Sequence, residues 1–343
     1  MSNNNNNARP EKKKEAILAI REILARRTDE KHPLKQDEIL EILSNEYNID
    51  IERKAVGRTI ALIRDNGYLE LKSDKKGTYV VQRLFDESEL HNLCDAVMFS
   101  KNLDLNSSLD IIKRICSLGG RHYKGPKYLE LENAKNIQYM NKTQNRQVLV
   151  TIGFLDDAIA NRQQVKFVYQ KYDINHELYE VGTYKVSPYA VLQKNRQYYL
   201  MCQYVKNGRG ELRYFRLDKM INTKIVDEPA IDINRLPTFK NGINYEVISN
   251  SLPYMFSDAP KPVTIRIDNK NVADDIFDWF GPKVKFKEDP EHPGMYLSTI
   301  KVSPMAMHYW ALQYIDHVEV LSPIDLREDI KQSLQKGLNK YSK

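Results

Sequence analysis

Cysteine is scarce in this chain, with only Cys94, Cys116 and Cys202 among 343 residues. They are widely spaced and form no CxxC pair, which argues against a disulfide framework or a cysteine zinc site and points to a reduced, cytosolic setting. The seven histidines, His32, His91, His122, His176, His292, His308 and His317, show neither HxxxH nor HExxH spacing, so sequence offers no metal site and no cofactor. GxSxG, Walker and GxGxxG motifs are missing, and there is no internal repeat. Asp156-Asp157 and Asp274-Asp275 read as helix-surface or capping acids rather than metal-binding pairs. These absences point away from an enzyme. No apolar run approaches the length of a membrane span, and the asparagine tract near the start lacks the apolar segment of a signal peptide. A soluble, cytoplasmic protein without membrane partners is expected.

What is present suits several small domains: 41% apolar and 29% charged residues over a length sufficient for two or three cores. The net charge of +6 is by itself a weak argument for nucleic acid. Residues 1–10 read as a disordered tail. Over 11–27, Ile17, Ile20 and Leu24 recur at helical spacing, His32-Pro33 interrupts, and a second helix ends near Tyr47-Asn48. Asp50 is a candidate N-cap for a third helix that stops at Gly67. YLELKSDKKGTYVV then reads as a β-hairpin with a charged tip. Three helices followed by a basic hairpin is the pattern of a winged helix-turn-helix over 11–84. Residues 85–162 read as a helical linker or dimerisation region, and 163–228 as a β-rich domain. The prolines of 229–260 suggest an extended linker. Alternating strands and helices make 261–343 a small α+β domain. Trp310 reads as core.

The third helix places Val56, Ile60 and Ile63 on one apolar face. Arg53, Lys54, Gly57, Arg58, Ala61 and Arg64 fall mostly on or beside the opposite face. Residues 51–85 carry eight basic and four acidic side chains, so the positive excess is concentrated here. Such a helix would enter a major groove of double-stranded DNA, with Arg58 and Thr59 contacting the groove. Lys75 and Lys76 at the hairpin tip would follow the phosphates.

The stretch RQYYLMCQYVKNGRGELRYFRLDK, 196–219, reads as two strands joined by a Gly-containing hairpin. Strand parity assigns Leu200, Cys202, Phe215 and Leu217 to the core side, and Tyr199, Gln203 and Arg216 to the outer side. Lys185, Ser187 and Tyr189 form a parity set on an upstream strand. Arginine, tyrosine and serine placed together suit a phosphate held by guanidinium and a base stacked on aromatic rings. A set of surface residues that only stabilises the sheet fits the same spacing. Arg213 shares the core-side parity and joins the patch only at a strand end or bulge.

Tyr198-Tyr199-Leu200, Arg213-Tyr214-Phe215-Arg216-Leu217-Asp218-Lys219, and the run from Trp310 through Val318-Glu319-Val320-Leu321-Ser322-Pro323 to Leu326-Arg327 resemble bacterial transcriptional regulators with a WYL domain. The first position departs from the name-giving tryptophan but stays aromatic. The resemblance implies a multidomain α+β protein: an N-terminal winged helix-turn-helix, a central Sm-like (SH3-like) β-barrel WYL domain, and a small α+β C-terminal extension that dimerises. It implies a homodimer on a palindromic operator, with a repressor's role and a nucleotide or nucleic-acid effector. Some family members control phage-defence genes. Ser187, Tyr199, Arg213 and Arg216 correspond to the family's pocket, to which parity adds Tyr189 and Gln203. A ligand-binding adaptor regulating a partner enzyme without operator binding is the alternative.

Overall fold

The structure, a computed structural model, describes residues 8–129, 142–235, 239–240 and 242–342. Most of the expected tail lies outside these residues, and Ala8–Pro10 already belong to the first helix. The chain divides into two compact units, 1–142 and 143–343.

In the first unit, α1 (Ala8–Arg27), α2 (Gln36–Tyr47) and α3 (Arg53–Asp65) enclose one core. The apolar stripes predicted from spacing are the buried ones: Ile20 and Leu24 meet Ile39, Leu43, Val56, Ile60 and Ile63. Asp50 is not the N-cap of α3. Its carboxylate accepts from Ser44 Oγ at 2.9 Å, and the helix starts after Glu52. Gly67, at φ +69°, reverses the chain after it. β1 (Glu70–Ser73) and β2 (Thr78–Gln82) pair antiparallel, and Leu34 adds a bridge to Thr78 through two backbone bonds of 2.8 and 3.0 Å. That bridge brings the Leu34 backbone so close to Gly77 (φ +147°) that a Cβ there would lie 2.5 Å from it.

α4 (Glu87–Met98) and α5 (Leu105–Leu118) pack together around Cys94, Met98 and Ile112. Each start is fixed by an aspartate. Asp86 and Glu89 exchange side-chain bonds with each other's backbone amides at 2.8 Å, and Asp104 accepts from the Ser107 amide.

The second unit begins with α6 (Val148–Ala160), followed by β3 (Gln163–Tyr172), β4 (Leu178–Lys194), β5 (Gln197–Lys206), β6 (Arg209–Arg216) and β7 (Met220–Pro229). These strands form one antiparallel sheet in the order β6-β5-β4-β3-β7. β6 and β7 are its edges, and among the described residues no pairing between them closes a barrel. Leu217–Lys219, read from sequence as a strand continuation, is a 3-10 turn. α6 lies on one face and contributes Val148, Leu155 and Ala158 to the core with Val165, Phe167, Leu200 and Phe215.

The other face is covered as well. Residues 229–260 are not simply extended: they include a 3-10 turn at Ile233–Arg235 and α7 (Tyr245–Ser251). Phe239, Ile248, Leu252 and Met255 bury against Ala190, Leu192 and Met201. Then follow β8 (Lys261–Ile267), α8 (Val272–Phe280), β9 (Lys287–Glu288), β10 (Tyr296–Val302), α9 (Pro304–Gln313), β11 (Val318–Ser322) and α10 (Ile324–Tyr341). The sheet order is β11-β8-β10-β9, and Trp310 is wholly buried in this core.

Candidate functional site

Burying Val56, Ile60 and Ile63 turns the opposite face of α3 outward. Arg53, Lys54, Arg58 and Arg64 are exposed, and Thr59 is half-buried. Two of the cations already have acidic neighbours: Arg53 pairs with Asp37 at 3.2 Å and Arg64 with Asp65 at 3.1 Å. Both pairs are solvent-exposed and hold their partners only weakly. At the hairpin tip, Asp74 Oδ1 accepts from the Lys76 amide at 2.7 Å and the Gly77 amide at 3.2 Å. This turn leaves Lys75 and Lys76 exposed.

The residues expected to read a ligand divide into three places. Ser187 and Gln203 are buried strand neighbours, and the half-buried Tyr189 joins Gln203. Ser187 is 2% exposed and its Oγ accepts from the Ile231 amide at 2.9 Å. Tyr189 donates to Gln203 Oε1 at 3.0 Å, and burial pushes its phenol up. A bulge between Pro188 and Ala190 aims Tyr189 there. Tyr199 and Arg216 sit opposite one another across β5 and β6. Parity thus separated the two faces correctly, yet the face taken as outer packs under Phe239, Ile248, Leu252 and Met255. Gln203 is only 8% exposed. Burial works against the Arg216 charge, but a two-pronged bond to Asp218 (3.0 and 2.7 Å) outweighs it and holds the guanidinium above its ordinary value.

Arg213 lies on the opposite face, paired with Cys202. Its guanidinium stands 5.1 Å from the Tyr204 ring centre and bonds Glu211 at 2.9 Å. It opens onto a cleft of about 730 Å³ lined by Tyr169, Lys171, Tyr184, Phe215 and residues 255–258. Tyr169, Tyr184 and Phe215 contact one another edge-on or tilted, with centres 4.8–6.2 Å apart. Burial pushes the Tyr169 phenol up to about 12, so it remains a neutral donor at physiological pH. Aromatic surface beside Arg213 and Lys171 can take a planar anion by stacking and charge-assisted bonds. Tyr169, Lys171, Tyr184 and Met255–Asp258 were missed from sequence. The alternation of Phe167 with Tyr169 was the one available signal, and nothing local announced that 255–258 would return to this sheet.

Residues 151–225 match the WYL domain and residues 259–338 the WCX domain. No curated protein matches the chain. Among solved structures it is similar to proteasome accessory factor B/C (PafBC) of Arthrobacter aurescens, at 14% identity and a TM-score of 0.29, over 96% of this chain and 49% of that one. The chain therefore spans about half the length of PafBC. A CRISPR Cas-related protein is similar over 99% of this chain and 87% of its own, at 14% identity and a TM-score of 0.39. Among the described residues no helix is long and apolar enough to cross a membrane.

Proposed function

We propose that this protein, built on a WYL domain followed by a WCX domain, is a sequence-specific DNA-binding transcriptional regulator. In this reading a winged helix-turn-helix over 11–84 binds operator DNA and the WYL domain senses a nucleotide or nucleic-acid effector. The observation that carries it is α3: its apolar face is wholly committed to the core while Arg53, Lys54, Arg58 and Arg64 face solvent. The charged hairpin tip follows in the same unit. The helix would occupy the major groove and the tip would neutralise phosphates. The Leu34 bridge to Thr78 adds a third strand position beside the hairpin, which supports reading it as a wing.

Arg213 and the cleft beside it form the effector site in this reading, because Ser187, Tyr189 and Gln203 are already bonded internally. Tyr199 and Arg216 would respond at the far face of the same strands. The strand order, with β7 returning beside β3, is compatible with a strongly curved, barrel-like sheet. The family resemblance extends the proposal to a homodimeric, cytoplasmic repressor on a palindromic operator, with phage-defence genes among its targets.

Gel shift and footprinting against the chain's own upstream region test the reading. A protected palindrome whose affinity falls with salt is the expected result. Failure to shift that DNA specifically at any salt concentration, with a stable protein partner recovered instead, would replace the regulator with the adaptor.

A further inference from the structure

Asp29, His32 and His122 meet at the C-terminal end of α1, although 90 residues separate the two histidines in sequence. Each offers one metal-ligating atom, and the three atoms lie within 4.8 Å of one another. His32 Nδ1 is 2.8 and 3.0 Å from the two oxygens of Asp29. The His32 and His122 rings stack with centroids 3.6 Å apart and planes 6° from parallel.

Main-chain groups anchor these side chains. Asp29 Oδ1 accepts from the amides of Lys31 and His32, both at 2.9 Å. The Arg121 amide donates to Arg26 O at 2.7 Å, and His122 Nε2 lies 3.1 Å from Arg27 O. Two imidazoles and a carboxylate, brought from separate segments and held by their own main chains, are a donor set rather than an apolar contact. His32 is exposed, so packing alone does not account for the stack.

We propose that Asp29, His32 and His122 form a site for a divalent transition-metal ion of the zinc class. Mixed imidazole and carboxylate donors select zinc, nickel or copper over magnesium and calcium. Tetrahedral zinc with bonds of about 2.0–2.2 Å needs ligand atoms roughly 3.3–3.5 Å apart. One imidazole therefore turns out of the stack so that the lone pairs converge; the widest spacing closes by up to about 1.4 Å, while the Asp29–His32 pair, at 2.8 Å, opens by about 0.5 Å. A water completes the coordination. The bound ion fastens the turn at 119–122 to the end of α1. That end is also where Thr28 Oγ1 accepts from the Val80 amide and Thr28 O accepts from Arg83 Nη2, so one ion braces the junction of the helical hairpin with the three-helix core. The site stands independently of the DNA reading.

The test uses the full chain, stripped with chelator and titrated with ZnCl2 by calorimetry. Metal content after dialysis and the melting temperature are followed in parallel. One zinc per chain and a higher Tm are expected. His122→Ala and His32→Ala should each weaken zinc binding at least tenfold, while their metal-free circular dichroism matches the parent chain. If His122→Ala misfolds, His122→Asn takes its place. His317→Ala is the control, because His317 also contacts an aspartate, Asp268, at 3.0 Å; it should bind zinc as the parent does. Co2+ should give visible d–d bands that His122→Ala lacks. Absence of zinc binding at micromolar concentrations, or equal affinity in His122→Ala, overturns the proposal.

Discussion

Ser303 Oγ donates to Asp258 Oδ1 at 2.6 Å, and the Met305 amide donates to Oδ2 of the same carboxylate at 3.1 Å. Ser303 also caps α9 by accepting from the Ala306 amide at 3.0 Å. Asp258 lines the cleft beside Arg213, so one carboxylate belongs both to the cleft wall and to the start of a helix in the C-terminal domain. Asp258→Ala and Ser303→Ala should each lower stability by about 1–2 kcal/mol, the usual cost of a lost cap. Chemical denaturation of the double variant should show less than the sum of the singles, because the two residues share the Ser303–Asp258 bond and each single variant already loses it. Full additivity would separate them.

Arg213 and Arg216 should behave differently. Arg213→Ala is expected to weaken a nucleotide effector by about tenfold or more, as losing a charged hydrogen bond costs about 1.5–3 kcal/mol. Arg216→Ala instead leaves Asp218, whose side chain is 5% exposed, without its partner. With solvent screening of the more exposed guanidinium, destabilisation of about 1–2 kcal/mol is expected. Effector titration and denaturation of both variants check this, and an Arg213→Ala chain with parental effector affinity would remove the cleft from the proposal.

At the DNA, Lys75 and Lys76 should contribute position without sequence. Replacing both by alanine should weaken specific and non-specific DNA alike and flatten the salt dependence by about two units of slope, about 0.9 per phosphate contact. Arg58→Ala should lower operator affinity more than random-DNA affinity. Binding isotherms at several salt concentrations distinguish these outcomes.

Lys142 gives a pH signature. It donates to Ser100 O at 3.0 Å and Ser108 Oγ at 2.7 Å. Burial pushes its ammonium down to about 8, against a smaller opposite pull from Asp104. The unfolded lysine titrates near 10.4, so the unfolded state binds the extra proton between about pH 8 and 10.4. The Lys142 contribution to stability should therefore rise with pH across that window. The stability difference between the parent chain and Lys142→Met should rise accordingly, and a difference independent of pH would contradict the assignment.

Gly77→Ala places a methyl group against the Leu34 backbone at a positive φ. It should cost about 1–3 kcal/mol and open the Leu34–Thr78 bridge. Faster amide exchange at Leu34 and Thr78 would report the opening.

Much of the architecture was legible because helical and strand periodicities are local. Val56, Ile60 and Ile63 gave the buried face of α3, and strands and helices do alternate over the C-terminal segment. Parity divided β5 and β6 correctly. It failed at exposure, because the cover over Met201 and Gln203 comes from Phe239, Ile248 and Met255, in a segment whose prolines suggested a linker. The Asp50 cap failed for a related reason: Ser44 offered its carboxylate a different partner.

The sequence by itself determined which faces of the helices and strands are apolar, and that basic side chains concentrate on α3 and the hairpin tip. These depend on spacing within one element. Only the tertiary structure decided that Ser187 and Gln203 are internal, that Arg213 opens onto a cleft, and that His32 and His122 stack. Each of those outcomes needs two segments distant in sequence to meet, and a local pattern carries no information about which distant segment will arrive.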